Sequence, residues 1–449
     1  MKSTIALKVM AGLSLTLLLA AAPLAAQDCT TVSPGCLDTT FNGTGKVMTN
    51  TTQTSPITNG GQVADGVAVD SYGRIVVGGW SPDNTLSKYD FTAVRYNPDG
   101  SLDTTFGNGG IAKASLTSGS DVGYALALQN ETTHTSCLST DQRILVAGQA
   151  DSGTEFGIAR FCPDGSLDTA FGAKGVTVIS FGKRASPSAN AIVIQSNGEI
   201  VLAGVANSNF ALVRLTADGT LDSTFGGSGK VTFAFGKSSS RAAAVLVESN
   251  GDIVAGGYAS PKGYDEFALV GFLPSGAVNT AFGSKGSVLT DFSGSKSFIQ
   301  GMALASSGNI VAVGYAASTG GLGLARYTPS GQLDPTFGSS GKVALSFGAD
   351  AAVAIQSDAS IVTAGGQGVS GQFVSSFALA RFNSNGSLDT SFGAAGTGEV
   401  TTAFSGVPYS SAAAVALDAS TPVPTILAAG WSQATQSGGF AYSVARYFQ

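Results

Sequence analysis

Histidine is almost absent from this 449-residue chain: His134 is the only one. A Ser-His-Asp triad or a histidine-rich metal site needs more than one isolated imidazole offers, so both are set aside. His134 lies in ETTHTSCLSTDQR, where a lone loop histidine reads as a surface residue. Charge is sparse as well, at 12% of residues, and its sign is wrong for nucleic acid. Without Lys2 and Lys8 of the first segment, 21 basic residues face 29 acidic ones, a net charge near −8. After the first 26 residues no apolar run approaches the roughly 20 residues that a spanning helix needs. Small residues are also missing just before Cys29, where Gln27 and Asp28 stand, which argues against a lipid anchor.

The opening MKSTIALKVMAGLSLTLLLAAAPLAA has two lysines, an apolar run and the small pair Ala25-Ala26 before a polar Gln27. It reads as a secretory signal peptide over residues 1–26, with a mature chain of 27–449 that is secreted or periplasmic. In an exported chain the four cysteines favour disulfides. The expected pairs are Cys137 with Cys162 and Cys29 with Cys36.

What is abundant is glycine, 61 residues of it, and a repeated phrase. SLDTTFGNGG at Ser101 recurs as CLDTTFNGTG, SLDTAFGAKG, TLDSTFGGSG, AVNTAFGSKG, QLDPTFGSSG and SLDTSFGAAG. Each copy closes a unit such as GVAVDSYGRIVVGGW followed by DFTAVRYNPDGSLDTTFG. Alternating, β-branched runs broken by short glycine turns are strand and hairpin signals. We read strands A (GVAVD), B (GRIVVGG), C (FTAVRYN) and D, the last beginning at SLDTTFG; the following KVTFAF-like segment either continues D or forms an extra strand. The chain begins inside a unit, at Cys36-Leu37-Asp38, and ends inside one, at Ala445-Arg446-Tyr447. Joined, the two ends make a seventh unit. The expected fold is an all-β seven-bladed β-propeller, one domain of 54–65-residue repeats closed by its N-terminal strand.

A charge pattern supports the hairpin register. Arg95 precedes Asp103 by eight residues, as Arg160 does Asp168, Arg214 does Asp222, Arg326 does Asp334 and Arg381 does Asp389. The fourth unit has Gly271 and Asn279 instead, so the two charges vanish together, as expected of structural cross-strand pairs. The same logic joins Arg446 to Asp38 across the chain ends. With the aspartates paired, a calcium reading of the PDGSLD words gives way to a hairpin turn. The phenylalanines of the motif, Phe41, Phe106, Phe171, Phe225, Phe282, Phe337 and Phe392, read as packing between blades.

The unit resembles the delta-60 repeat family of bacterial exported proteins, through RIVVGGW, FTAVRYNPDGSLDTTFG and their copies. That resemblance implies a propeller-like repeat and no particular activity.

Function is sought on the more variable face. Strand B carries a glycine in every unit (Gly79, Gly148, Gly204, Gly257, Gly314, Gly365 and Gly430), which points to close backbone approach or an unusual dihedral. The next position varies and includes Trp80, Tyr258, Tyr315 and Trp431, before B-to-C loops of unequal length. These four aromatics are the candidate ligand contacts, with the site placed near the junction of blades one and seven. The expected protein is a monomeric, non-catalytic binding or surface scaffold for a glycan, peptide or protein, without cofactor, metal or catalytic residues. The alternative is an exported carbohydrate-active hydrolase or lyase with a carboxylate-based site in the channel.

Overall fold

The computed structural model describes residues 32–51, 62–83, 87–130, 137, 141–183, 185–368, 374–433 and 439–449. The proposed signal segment, Cys29 and His134 lie outside these residues. Seven four-stranded antiparallel sheets form the blades. In the first blade, strand A is Val63–Val69, B is Ile75–Pro82, C is Tyr89–Tyr96 and D is Ile111–Ala114. In the seventh, A, B and C are Tyr409–Asp418, Thr425–Gln433 and Phe440–Phe448, and D is Lys46–Thr49 from the start of the chain. Lys46 pairs with Ala445 and Thr49 with Tyr442, so the ring closes on its N-terminal strand. The A strands touch their neighbours all the way round, first to seventh included.

Seven clusters of buried side chains lie between adjacent blades, one at each seam. The closing seam packs Val77 and Tyr96 against Phe41, Leu427, Tyr442 and Val444. Each buried aromatic or branched side chain contributes about 1.5–3 kcal/mol relative to exposure, so a blade is stable only beside another blade.

One expectation is corrected. The phrase SLDTTFG does not begin strand D. It makes a single bridge to strand C, Leu102 to Tyr96, and then turns away. Asp103 drives the turn by accepting from both the N–H and the hydroxyl of Thr105, at 3.1 and 2.6 Å. The outer strand is the four-residue segment that follows, Ile111–Ala114 here and Lys230–Phe233 in the third blade.

The turn between C and D has the geometry its residues dictate. The Asn97 N–H donates to Ser101 O, and Gly100 has φ +87°. A Cβ on Gly100 would also come within 2.8 Å of the Phe41 ring of the preceding blade, so glycine is required twice over.

Candidate functional site

The repeated motif builds a clasp between blades. Arg95 Nε donates to Asp103 Oδ2 at 2.8 Å while its guanidinium lies 4.5 Å from the Phe106 ring centre. The remaining arm reaches the next blade, where Nη1 donates to Pro163 O in the following C-to-D turn. Arg214 does the same with Asp222, Phe225 and Pro274 O, while Arg160 forms an ion pair with Asp168, lies over Phe171 and donates to Ala217 O. Arg326 holds Asp334 and Phe337, and Arg381 holds Asp389 and Phe392. Arg446 holds Asp38 and Phe41 and donates to Pro98 O in the first blade. Each turn receives a second bond from the same preceding blade, as from Gly107 N to Asp164 O at 2.7 Å. The phenylalanines are therefore stacking platforms for arginine as well as core residues. In the fourth blade the Asn279 amide donates to Asp252 at 2.9 Å instead.

Cys137 is bonded to Cys162, tying the A-to-B insertion of the second blade to its C-to-D turn, with Cα atoms 5.5 Å apart. Asp168 lies beside them, yet both sulfurs are bonded to each other and the carboxylate is held by Arg160 and Arg143. This trio is a structural knot and not a metal site. Cys36 is disulfide-bonded as well, and its expected partner Cys29 lies outside the described residues.

With the recurrent charges occupied in clasps, the channel mouth on the B-to-C face holds the remaining chemistry. Every A strand has a register shift near its start, for example between Ala64 and Gly66. The strand B glycine lies opposite. A Cβ on Gly79 would sit 1.9 Å from Val63 O, which excludes any other residue. The bulge frees one residue per blade from the ladder, and six of these, Asp65, Tyr124, Asn190, Ala243, Gln300 and Ala413, line a cavity of about 500 Å³. Arg241, Tyr258, Phe298 and Trp431 complete its wall.

Tyr258 and Trp431 thus face the cavity, half-buried. Trp80 and Tyr315 occupy equivalent ladder positions but are not in its wall: Trp80 packs edge-on against Tyr89, and Tyr315 against Phe298, at 4.6 and 5.5 Å between centres. The cavity draws on the first to fifth and the seventh blades, so it is centred on the channel and not on the junction of the first and seventh. The bulge residues escaped the sequence reading. The invariant glycine was the available signal, because a glycine forced by a partner carbonyl marks a bulge across from it.

Asp65 is the unusual charge here. Burial pushes its carboxyl up to about 7, and Oδ2 has no hydrogen-bond partner. Tyr124 is raised by burial and then by the Asp65 charge, and Tyr442 likewise. Arg241 is exposed and donates to Asn190 Oδ1 at 2.6 Å, while the Asn190 amide donates to Ala242 O.

Five segments of the chain, residues 73–106, 140–171, 195–225, 305–337 and 356–392, match a single family model. It describes a domain of unknown function (DUF5122) beta-propeller. The matched segments run from the A-to-B turn to the clasp phenylalanine. The fourth blade, which lacks the Arg–Asp pair, and the seventh, split between the chain ends, fall outside them. No curated protein matches. Solved structures of similar shape include Raptor of Chaetomium thermophilum, at 11% identity and TM-score 0.49 over 86% of this chain and 28% of that one. Sqt1 of the same organism gives 12% and 0.44 over 86% and 96%. The polysaccharide lyase Uly1 gives 9% and 0.46 over 86% and 90%.

Proposed function

We propose that this chain is an exported binding protein that holds a saccharide in the mouth of the propeller channel. The observation that carries the reading is the cavity of about 500 Å³, in which aromatic faces from Tyr258, Phe298 and Trp431 meet polar groups from Asp65, Asn190, Arg241 and Gln300. Its size suits a small ligand or the end of a larger one, and apolar walls with a few convergent polar groups are the usual makeup of such sites. A sugar presents an apolar ring face for stacking and hydroxyls for the amides and charges. A concave mouth of this kind favours a glycan over a flat protein surface.

The second reading, a hydrolase or lyase, is favoured by one feature: burial raises the Asp65 carboxyl to about 7, the range that suits a general acid. Glycoside hydrolysis by paired carboxylates needs a second acid across the site. Among the described residues of the wall Asp65 is the only carboxylate, so binding is the better-supported function.

The test is an array of polysaccharides and oligosaccharides scored for both retention and cleavage. Retention without cleavage is expected. The Tyr258→Ala, Trp431→Ala double variant should bind at least about tenfold more weakly, corresponding to about 1.4 kcal/mol, while Trp80→Ala binds normally. Release of shorter products would establish the enzyme, and undiminished binding by a folded double variant would remove the site.

A further inference from the structure

Arg241 stands apart from the other described arginines. Each of them has a guanidinium nitrogen within 3.5 Å of a carboxylate oxygen, whether in a clasp or, for Arg74 and Arg143, beside Asp70 and Asp168. Arg241 has none. Among the described residues its one hydrogen-bond partner is the neutral Asn190 side chain, which orients it, and it projects at the wall of the channel cavity. In a chain that pairs its arginines so consistently, an oriented cation without a counter-charge in a concave site is a place for an anion from outside.

The cavity's other charged group works with this. The groups that face Asp65 are Tyr124 from the second blade and Tyr442 from the seventh, with Arg241 across the mouth. Its own B strand presents Gly78 and Gly79, and the seventh A strand presents Ser411 and Ala412, none of which titrates. Among the described residues no cation pairs with Asp65, and its Oδ2 has no donor.

We propose, building on the saccharide-binding reading, that the ligand is an acidic saccharide whose carboxylate pairs with Arg241 while its ring lies against Trp431 and Tyr258, and that Asp65 admits it in the protonated form. With Asp65 neutral the described residues of the wall carry the single positive charge of Arg241. Once Asp65 ionises, the wall becomes net neutral and an unpaired carboxylate confronts the incoming one. Affinity for the acidic sugar therefore falls as pH rises through about 7, where burial places the Asp65 transition. A neutral sugar has no such dependence.

The experiment is calorimetric titration with a short uronate oligosaccharide, its uncharged methyl ester and a sulfated oligosaccharide of the same length. The wild type should bind the uronate about tenfold or more tighter than the ester at pH near 6, and lose up to about tenfold per pH unit above 7. Arg241→Gln should erase the preference for the charged form, and Arg241→Lys should restore part of it. Asp65→Asn should bind the uronate equally at pH about 6 and about 8. Thermal melts establish that each variant is folded. Equal affinity for uronate and ester, a folded Arg241→Gln protein with unchanged preference, an unaltered pH profile in Asp65→Asn, or preference for the sulfated sugar would each overturn the proposal. If the neutral ester binds and depends on Trp431 while charge makes no difference, the saccharide-binding reading survives and the acidic one fails. If none of the sugars binds and the array is also silent, both fail.

Discussion

Asp65 carries a cost that its neighbours do not. A carboxyl in an unfolded chain loses its proton near 3.8, and in the folded channel burial holds that proton to about 7. Between these values the folded state binds more protons than the unfolded one, so stability falls as pH rises across the window. Below it both states are protonated and nothing is lost; above it the penalty is complete. Asp65→Asn should therefore leave stability unchanged near pH 3.5 and raise it near pH 8, by roughly 4 kcal/mol. Melts of both proteins across that range check this, and parallel curves would show that Asp65 is solvated. The clasp aspartates Asp103, Asp222, Asp334 and Asp389 have the opposite sign. The Thr336 hydroxyl and N–H, with Arg326, hold Asp334 below the ordinary range, so its contribution is present at neutral pH and fades in acid. At this scale the Arg–Asp pairs were legible, because eight residues around a three-residue turn place two side chains opposite on one face of a hairpin. Asp65 was not, because a bulge decides its direction and a bulge has no periodicity.

Among the elements, the fourth blade shows what its missing pair does. Gly271 stands where the other blades carry arginine, and a Cβ there would come within 2.7 Å of Phe282. The phenylalanine fills the space of the absent guanidinium, and Asn279 turns its amide to Asp252. Loss of both charges is thus accompanied by a replacement hydrogen bond. Asn279→Asp alone should set two carboxylates against each other without an arginine between them and destabilise by about 1–2 kcal/mol at neutral pH. Denaturant unfolding measures it, and the loss should shrink in acid as one carboxylate protonates. A variant as stable as the wild type at neutral pH would show that Asp252 turns away. Strand D was the element misread. In Leu102-Asp103-Thr104-Thr105-Phe106 the first residue pairs with strand C as a strand residue would, but the aspartate side chain then captures Thr105 and turns the chain. Alternation alone cannot distinguish one bridge followed by such a turn from a continuing strand. The invariant glycines did report close approach, though they did not reveal that the approaching carbonyl belonged to a bulge lining the channel.

For the whole molecule, closure rests on more than a fourth strand. The described N-terminal segment touches three blades. Pro34 O accepts from Gly393 N of the sixth blade at 2.9 Å, Lys46–Thr49 pairs within the seventh, and Asn42 N donates to Asp99 O of the first at 2.6 Å. Asp38 and Arg446 form their pair with side chains only 5% and 4% exposed. Asp38→Ala leaves Arg446 buried without its partner and should cost about 3–5 kcal/mol. Asp103→Ala, which breaks a pair of the same geometry inside the first blade, should cost a similar amount, because the local interaction does not depend on how the chain is connected. Deleting residues 27–50 differs in kind. It strips the outer strand from the seventh blade, removes Phe41 from the closing seam and leaves the sixth and first blades without these turn bonds, so the loss far exceeds that of either point variant. The deletion should therefore abolish the cooperative melt or shift it well below that of Asp38→Ala. If the truncated chain instead melts with the undeleted chain, the ring is held by its six internal seams alone, and the N-terminal strand is an ornament on a propeller that closes without it.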